Sequence, residues 1–258
     1  MLKMPEADRD VMARRAEIAA ALREIVPGEG VITEEAERRA YESDGLTAYR
    51  QLPMIVVLPE TTEQVSRILT YCHENKVRVV PRGAGTSLSG GALPLEDGVL
   101  LGLGKFNRVL EIDFDNRCAT VQPGVTNLGV TQAVQHKGFY YAPDPSSQIA
   151  CTIGGNIAEN SGGVHCLKYG LTTNNVLGIE MVMIDGQIIR LGGKHLDSEG
   201  WQPELEENRK LLLEHGLWGV PSFRLVGEDG EPDYCTWGQD RIWRVEEEIR
   251  RRLGTPAS

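Results

Sequence analysis

Apolar residues recur at Ile18, Leu22 and Ile25 and stop before Pro27-Gly28, a spacing that predicts a helix over that stretch. Thr33 is then placed to cap a second, highly charged helix running to Tyr41. Ile55 to Leu58 reads as a short buried strand. Thr61-Thr62-Glu63-Gln64 has the form of a capping box, and behind it Val65, Ile68, Leu69 and Cys72 fall on one helical face. Val77 to Val80 gives a second strand, completing a strand–helix–strand unit. Leu100 to Leu103, Val109 to Ile112 and Ala119 to Gln122 read as further strands of one small mixed sheet, and Thr126 to His136 as a helix closed by Gly138. Leu177 to Ile184 and Gln187 to Leu191 form a hairpin pattern through Asp185-Gly186. The alternation of both periods predicts an α+β chain.

Two stretches break this pattern. The first, Pro81-Arg82-Gly83-Ala84-Gly85-Thr86-Ser87-Leu88-Ser89-Gly90-Gly91, follows the Val77–Val80 strand, at the end of a strand where ligands bind in α/β architecture. Residues without Cβ let successive amides converge on an anion, and small hydroxyls add donors without blocking its approach. A P-loop is excluded, because the one nearby lysine, Lys76, precedes the loop; a dinucleotide fingerprint begun at Gly83 would need glycine at Leu88. A hydrolase elbow fails too, since Gly85-Thr86-Ser87-Leu88-Ser89 lacks its closing glycine. An ordinary glycine-rich turn remains the plain alternative. The second stretch runs from Pro143-Asp144-Pro145-Ser146-Ser147-Gln148 to Thr152-Ile153-Gly154-Gly155-Asn156-Ile157-Ala158-Glu159-Asn160-Ser161-Gly162-Gly163. Its glycines and asparagines are poor helix and strand formers, so it is expected to gain order from a ligand or from unusual backbone geometry. Two such loops point to one extended ligand.

Composition narrows the partners. The chain has 258 residues, 41% hydrophobic and 25% charged, with a net charge of −10, which argues against nucleic-acid or anionic-membrane partners. No apolar run reaches the roughly 18 residues of a transmembrane segment, and no signal-peptide core opens the chain, so a cytoplasmic location is expected. Five cysteines with no Cys-x-x-Cys spacing point to reduced thiols. Cys151, His165 and Cys166 lack the spacing and fourth ligand of a metal site, and no metal is expected.

The paired loops, with Val164 to Tyr169 and Gly170, resemble the FAD-binding domain of the vanillyl-alcohol-oxidase-like, or PCMH-type, flavoproteins of the glycolate oxidase and D-2-hydroxy-acid dehydrogenase type, over about Arg23 to Ser198. The resemblance implies a domain of two small α/β subdomains over residues 51–198, preceded by a helical lead-in at 1–50. It implies FAD as cofactor, other glycolate oxidase subunits as partners, and oxidation of a 2-hydroxy acid as the parent activity. It places Pro81, Arg82, Gly83, Ala84, Gly85, Thr86, Ser87, Ser89, Gly90 and Gly91 around the pyrophosphate. Pro143, Asp144, Pro145, Ser146, Ser147, Thr152, Gly154, Gly155, Asn156, Asn160, Gly162, Gly163 and Gly170 would line the flavin and its ribityl chain. Some relatives attach FAD through a histidine in the first loop; Thr86 stands there, which implies non-covalent FAD. His165 could assist proton transfer, but a lone histidine in a glycine loop is more often a hydrogen-bonding residue, the role expected here.

After Ser198 the family pattern stops: a further FAD-contacting segment and a substrate domain are expected and not found, so the enzyme is read as truncated. Trp201 to Leu253 instead resembles the end of the thioredoxin-fold 2-hydroxychromene-2-carboxylate isomerases, on Gly219-Val220-Pro221-Ser222-Phe223 and Trp237-Gly238-Gln239-Asp240-Arg241. The stretch reads as a charged helix from Trp201 through Leu213, a hairpin turning near Glu228-Asp229-Gly230 and a closing helix from Asp240; the likeness implies a partial thioredoxin-like tail over 199–258 with a cis bond at Pro221. A glutathione-dependent isomerase and an inert fusion product are the alternative functions.

Overall fold

The computed structural model describes residues 4–193, the short stretches 222–225 and 234–237, and residue 251. The chain divides into two compact units, Met1–Lys194 and His195–Ser258. In the first, Asp8 caps α1 (Arg9–Ala13), accepting from the amides of Asp10 and Val11. The amphipathic α2 (Arg15–Ile25) follows, burying Ile18 and Leu22 completely. Each such side chain contributes on the order of 1.5–3 kcal/mol of burial.

A central four-stranded sheet has the order β1-β2-β4-β3, with β1 (Val31–Ile32) antiparallel to β2 (Ile55–Val57), and β2 and β3 both parallel to β4. The short helix α3 (Glu35–Arg38) lies between β1 and β2. Thr33 does not cap it: Glu34 holds the cap position, and the Thr33 carbonyl instead accepts from Arg15 and from Arg38 Nε. A parallel pair needs a crossover, and α4 (Thr62–Glu74) supplies it from β2 to β3 (Arg78–Arg82). Thr61 caps α4 by accepting from the Gln64 amide at 3.2 Å, as the sequence predicts. The reciprocal half of the box is displaced by one residue, since Gln64 Oε1 accepts from Glu60 N. Val65, Ile68, Leu69 and Cys72 are all buried on the inner face.

β4 (Gly98–Gly102) is buried along its whole length, the pattern of a central parallel strand covered on both faces. β3 is an edge strand, which is why Pro81 can sit in it without costing the ladder a hydrogen bond. The expectation that the 100–103 strand joins those at 109–112 and 119–122 in one sheet is wrong. Both edges of β4 are already taken by β2 and β3, so β5 (Val109–Asp113) and β6 (Cys118–Val121) pair only with each other. The helix α5 (Asn127–Val134) runs on into a 3₁₀ turn closed by Gly138 at φ +78°, as expected.

The glycine- and asparagine-rich stretch folds into α6 (Ile153–Glu159), followed by α7 (Cys166–Tyr169). The hairpin is present as β7 (Gly178–Val182) and β8 (Ile188–Gly192), but its turn is longer than a two-residue Asp-Gly turn. Gly186 N donates back to Met183 O, and Gly186 is left-handed at φ +88°, giving a bulged connection. The hairpin is seated on α4, where Ser66 and Thr70 donate to the carbonyls of Gly186 and Asp185. In the second unit, β9 (Ser222–Leu225) and β10 (Tyr234–Trp237) form an antiparallel pair. The anticipated helix from Trp201, the Pro221 bond, the turn near Gly230 and the helix from Asp240 lie outside the described residues. Among the described residues no helix is long and apolar enough to cross a membrane.

Candidate cofactor-binding site

Pro81 and Arg82 end β3, and the chain then leaves the sheet through Gly83 to Gly91 without regular structure. Gly85 and Gly90 take φ values of +68° and +78°, a region in which a Cβ meets its own backbone. The loop is held from beneath by a segment that carries no motif. Gly45 N donates to Gly85 O at 2.7 Å, and a Cβ on Gly45 would lie 2.7 Å from the carbonyl oxygens of Thr86 and Ser87. Arg82 donates to the carbonyls of Tyr41 and Ser43, at 3.0 and 2.6 Å, and its guanidinium fills the space beside Gly85. Burial pushes the Arg82 pKa down, partly offset by Asp44 and Tyr41. Asp44 is itself buried; its Oδ1 accepts from Leu46 N, while Oδ2 has no partner.

The second stretch comes to meet the first. A Cβ on Gly83 would collide with Thr152 Oγ1, and one on Gly91 would lie 3.7 Å from Glu159 Oε1, so the first loop runs along α6. α6 is helical against its propensities because close packing requires these small residues: a Cβ on Gly154 would lie 2.7 Å from Pro123 Cβ. Asn160 ends the helix in the left-handed conformation (φ +49°), with Ser161 N bonded back to Asn156 O. Its Oδ1 accepts from both the amide and the hydroxyl of Thr173. The Ser161 carbonyl accepts from both the amide and the hydroxyl of the buried Thr172.

Pro143 and Pro145 are buried, and Asp144 between them is half-buried. Gly163 packs directly on the Asp144 backbone, where no Cβ fits. Asp144 Oδ2 lies 2.6 Å from His165 Nδ1, a bond that holds the Asp144 carboxyl below its ordinary pKa. Ser146 is exposed, whereas Ser147 accepts through its carbonyl from Ala150 N and Cys151 N. Gly170, at φ +79°, packs on Asn174, and among the described contacts it is not brought to the first loop. Tyr169 accepts hydrogen bonds from Tyr140 and Lys168 that lower its pKa.

The sequence reading missed the supporting residues Tyr41, Ser43, Asp44 and Gly45, which have no local signature. It also missed Asn127, fully buried at the start of α5 and bonded through Nδ2 to Pro143 O. A polar residue in an otherwise apolar helical stripe with Val130 and Val134 was its available signal.

Among the described residues, four buried side-chain atoms have no partner: Asp44 Oδ2, Asn127 Oδ1, Thr152 Oγ1 and Asn156 Nδ2. Thr152 and Asn156 stand one helical turn apart, so both fall on the same face of α6. Buried polar groups are rarely left unpaired unless a ligand or water completes them. The two donors among them, Thr152 Oγ1 and Asn156 Nδ2, together with the small-residue approach at Gly83 and Gly85, suit a polar, extended, anionic group such as a dinucleotide.

The fold is that of an FAD-binding domain with PCMH-type structural neighbours. The chain belongs to the family described as the FAD binding domain, whose model matches residues 53–192, and FAD is the cofactor of that domain. It is 55% identical over 198 residues to the glycolate oxidase subunit GlcD of Escherichia coli K12, covering 77% of this chain and 38% of that protein. It is 45% identical over 148 residues to the D-lactate dehydrogenase of Archaeoglobus fulgidus, covering 57% of this chain and 33% of the relative. Among solved structures, p-cresol methylhydroxylase with substrate bound has the same fold, with a TM-score of 0.62 at 22% identity over 77% of this chain and 39% of that one. The chain thus spans less than two fifths of the length of these relatives.

Proposed function

We propose that the first compact unit holds FAD non-covalently as the flavin-binding part of an FAD-linked 2-hydroxy-acid oxidoreductase of the glycolate oxidase type. The observation that carries this reading is the meeting of Gly83 with Thr152, beside the unpaired donors Thr152 Oγ1 and Asn156 Nδ2. Backbone amides from Gly83 to Gly91, with Thr86, Ser87 and Ser89, would hold the pyrophosphate without a lysine or a metal. Thr152 to Gly163 and Pro143 to Ser147 would line the rest of the cofactor. Thr86, a residue that forms no bond to flavin, supports non-covalent attachment.

FAD, when bound, supplies the acceptor for the two electrons and the proton that leave the α-carbon of a 2-hydroxy acid as a hydride equivalent. The residues of this chain bind and orient; His165 is bonded to Asp144 and keeps the role of fixing the loop. We assign substrate binding to the part of the relatives that this chain does not span. Association with other subunits of a glycolate oxidase and a cytoplasmic location belong to the same reading. The tail is proposed as a partial thioredoxin-like module on its sequence likeness, with the β9–β10 pair as its described portion; retention on immobilised glutathione would convert it to a binding module.

The purified chain is expected to show a flavin absorption band, or to gain one on adding FAD, with at most trace oxidation of glycolate or D-lactate. A colourless protein that does not take up added FAD would end this reading.

A further inference from the structure

The face of α2 turned toward α3 carries an open cleft of about 460 Å³ that no residue of either glycine loop lines. Its floor is Ala16 and Ala19, and three guanidiniums converge on it: Arg15 and Arg23 from α2, and Arg38 from α3. All three are drawn to one residue. Arg15 and Arg38 Nε donate to the Thr33 carbonyl, and Arg23 donates to Thr33 Oγ1 at 2.9 Å. Arg38 is only 6% exposed, and its other described hydrogen bond goes to the Pro53 carbonyl.

None of these three arginines has an ion-pair partner among the described residues. Two carboxylates, Glu34 and Glu35, also line the cleft; Glu35 is bound to Arg39 at 2.7 Å, the nearby Glu17 to Arg14 at 3.3 Å, and Glu34 makes no described ion pair with any of the three arginines. Carbonyl oxygens satisfy hydrogen-bond geometry, but they do not neutralise charge. A buried cation is ordinarily paired, and in a chain of net charge −10 carboxylates are not scarce. Burial and then the like charge of Arg15 press the Arg38 pKa down, partly offset by Glu35 and Glu34. Guanidiniums fixed by such bonds present their remaining donors as a preformed fork for a carboxylate or phosphate. The alanine floor leaves room for a small organic body behind the anionic group.

We propose that this cleft is a binding site for a small organic anion, held at its carboxylate or phosphate group by Arg15, Arg23 and Arg38. Calorimetry on the full chain saturated with FAD, so that the glycine loops are occupied, tests it with inorganic phosphate in one arm and malonate in the other. Saturable one-to-one binding is expected in at least one arm, and the arm that binds names the head group. It should weaken as ionic strength rises, and weaken tenfold or more in Arg23→Gln and in Arg15→Gln. Arg23 is exposed on its helix, so that variant is expected to fold and to keep its flavin spectrum. No saturable binding in either arm, or unchanged affinity in both variants, overturns the proposal.

Discussion

Gly45 and Gly85, forty residues apart, are joined by one backbone hydrogen bond of 2.7 Å, and the strand-end loop rests on that bond. A Cβ at position 45 would stand 2.7 Å from two carbonyl oxygens of the loop, and backbone, unlike the end of a flexible side chain, cannot turn aside. Gly45→Ala should therefore displace Thr86 and Ser87 while leaving the sheet intact. FAD affinity is expected to fall at least tenfold, about 1.4 kcal/mol, with little change in far-ultraviolet circular dichroism. Parental affinity in a flavin-fluorescence titration would show that the loop does not need this support.

The Asp144–His165 pair gives an acid-side signature. Hydrogen bonding from His165 lowers the Asp144 pKa, so the folded state binds that proton less readily than the unfolded state does. The contribution of the pair is then fully present above the unfolded aspartate value of about 3.9, and is lost as pH falls toward the lowered folded value. In a carboxyl-carbon NMR titration the Asp144 midpoint should lie below the ordinary aspartate range and move up in His165→Ala. An identical midpoint in both proteins would mean that the bond does not persist in solution.

Cys72 is completely buried on the inner face of α4, and burial pushes its thiol pKa up to about 12. It should remain neutral and unreactive at pH 8, because the thiolate is the nucleophile. Iodoacetamide followed by mass spectrometry should label the half-exposed Cys118 and Cys166 in the native protein, and Cys72 only after denaturation. Cys72→Ser would place a hydroxyl in the same apolar surroundings and cost about 1–3 kcal/mol in urea unfolding. Native labelling of Cys72 at the rate of Cys118 would contradict its burial.

How much of this could be read from the letters depended on the range of the causes. Thr61, Gly138 and the break after β3 were legible because a cap, a left-handed stop and a run of glycines act within a few residues. Thr33 misled because its carbonyl is claimed by Arg15, eighteen residues away, and by Arg38. The helix α6 was hidden for a similar reason: local propensity opposes it, and packing of Gly154 on Pro123 decides the outcome. The first loop was visible as a loop, whereas the second stretch, expected as a loop, folds in part into the helix α6; nothing local announced that Gly83 meets Thr152, or that residues 41–45 carry the first loop. Charge convergence at Thr33 likewise joins positions 15, 23 and 38, which no motif connects.

The sharpest test of the flavin site compares Gly85 with Gly90. Both hold positive φ, so valine at either is strained by its β-branch. They differ in their surroundings. At Gly90 a Cβ would meet only Leu93 Cδ1 and Leu46 Cδ2, at 3.3 and 3.4 Å, whereas at Gly85 it would lie 2.7 Å from Arg82 Nε. Arg82 is not free to yield, because it is bonded to the carbonyls of Tyr41 and Ser43. Gly85→Val must therefore break those bonds as well as strain the loop. It should lose about 3 kcal/mol of FAD binding, roughly a hundredfold, and Gly90→Val somewhat less. Ser161→Ala should change affinity least, since the described role of Ser161 is its carbonyl, which accepts from Thr172 and survives the substitution. Flavin-fluorescence titration of the three variants gives the order directly. If both glycine variants fold and keep parental affinity, the stretch from Gly83 to Gly91 is an ordinary turn, and the pyrophosphate must be held elsewhere.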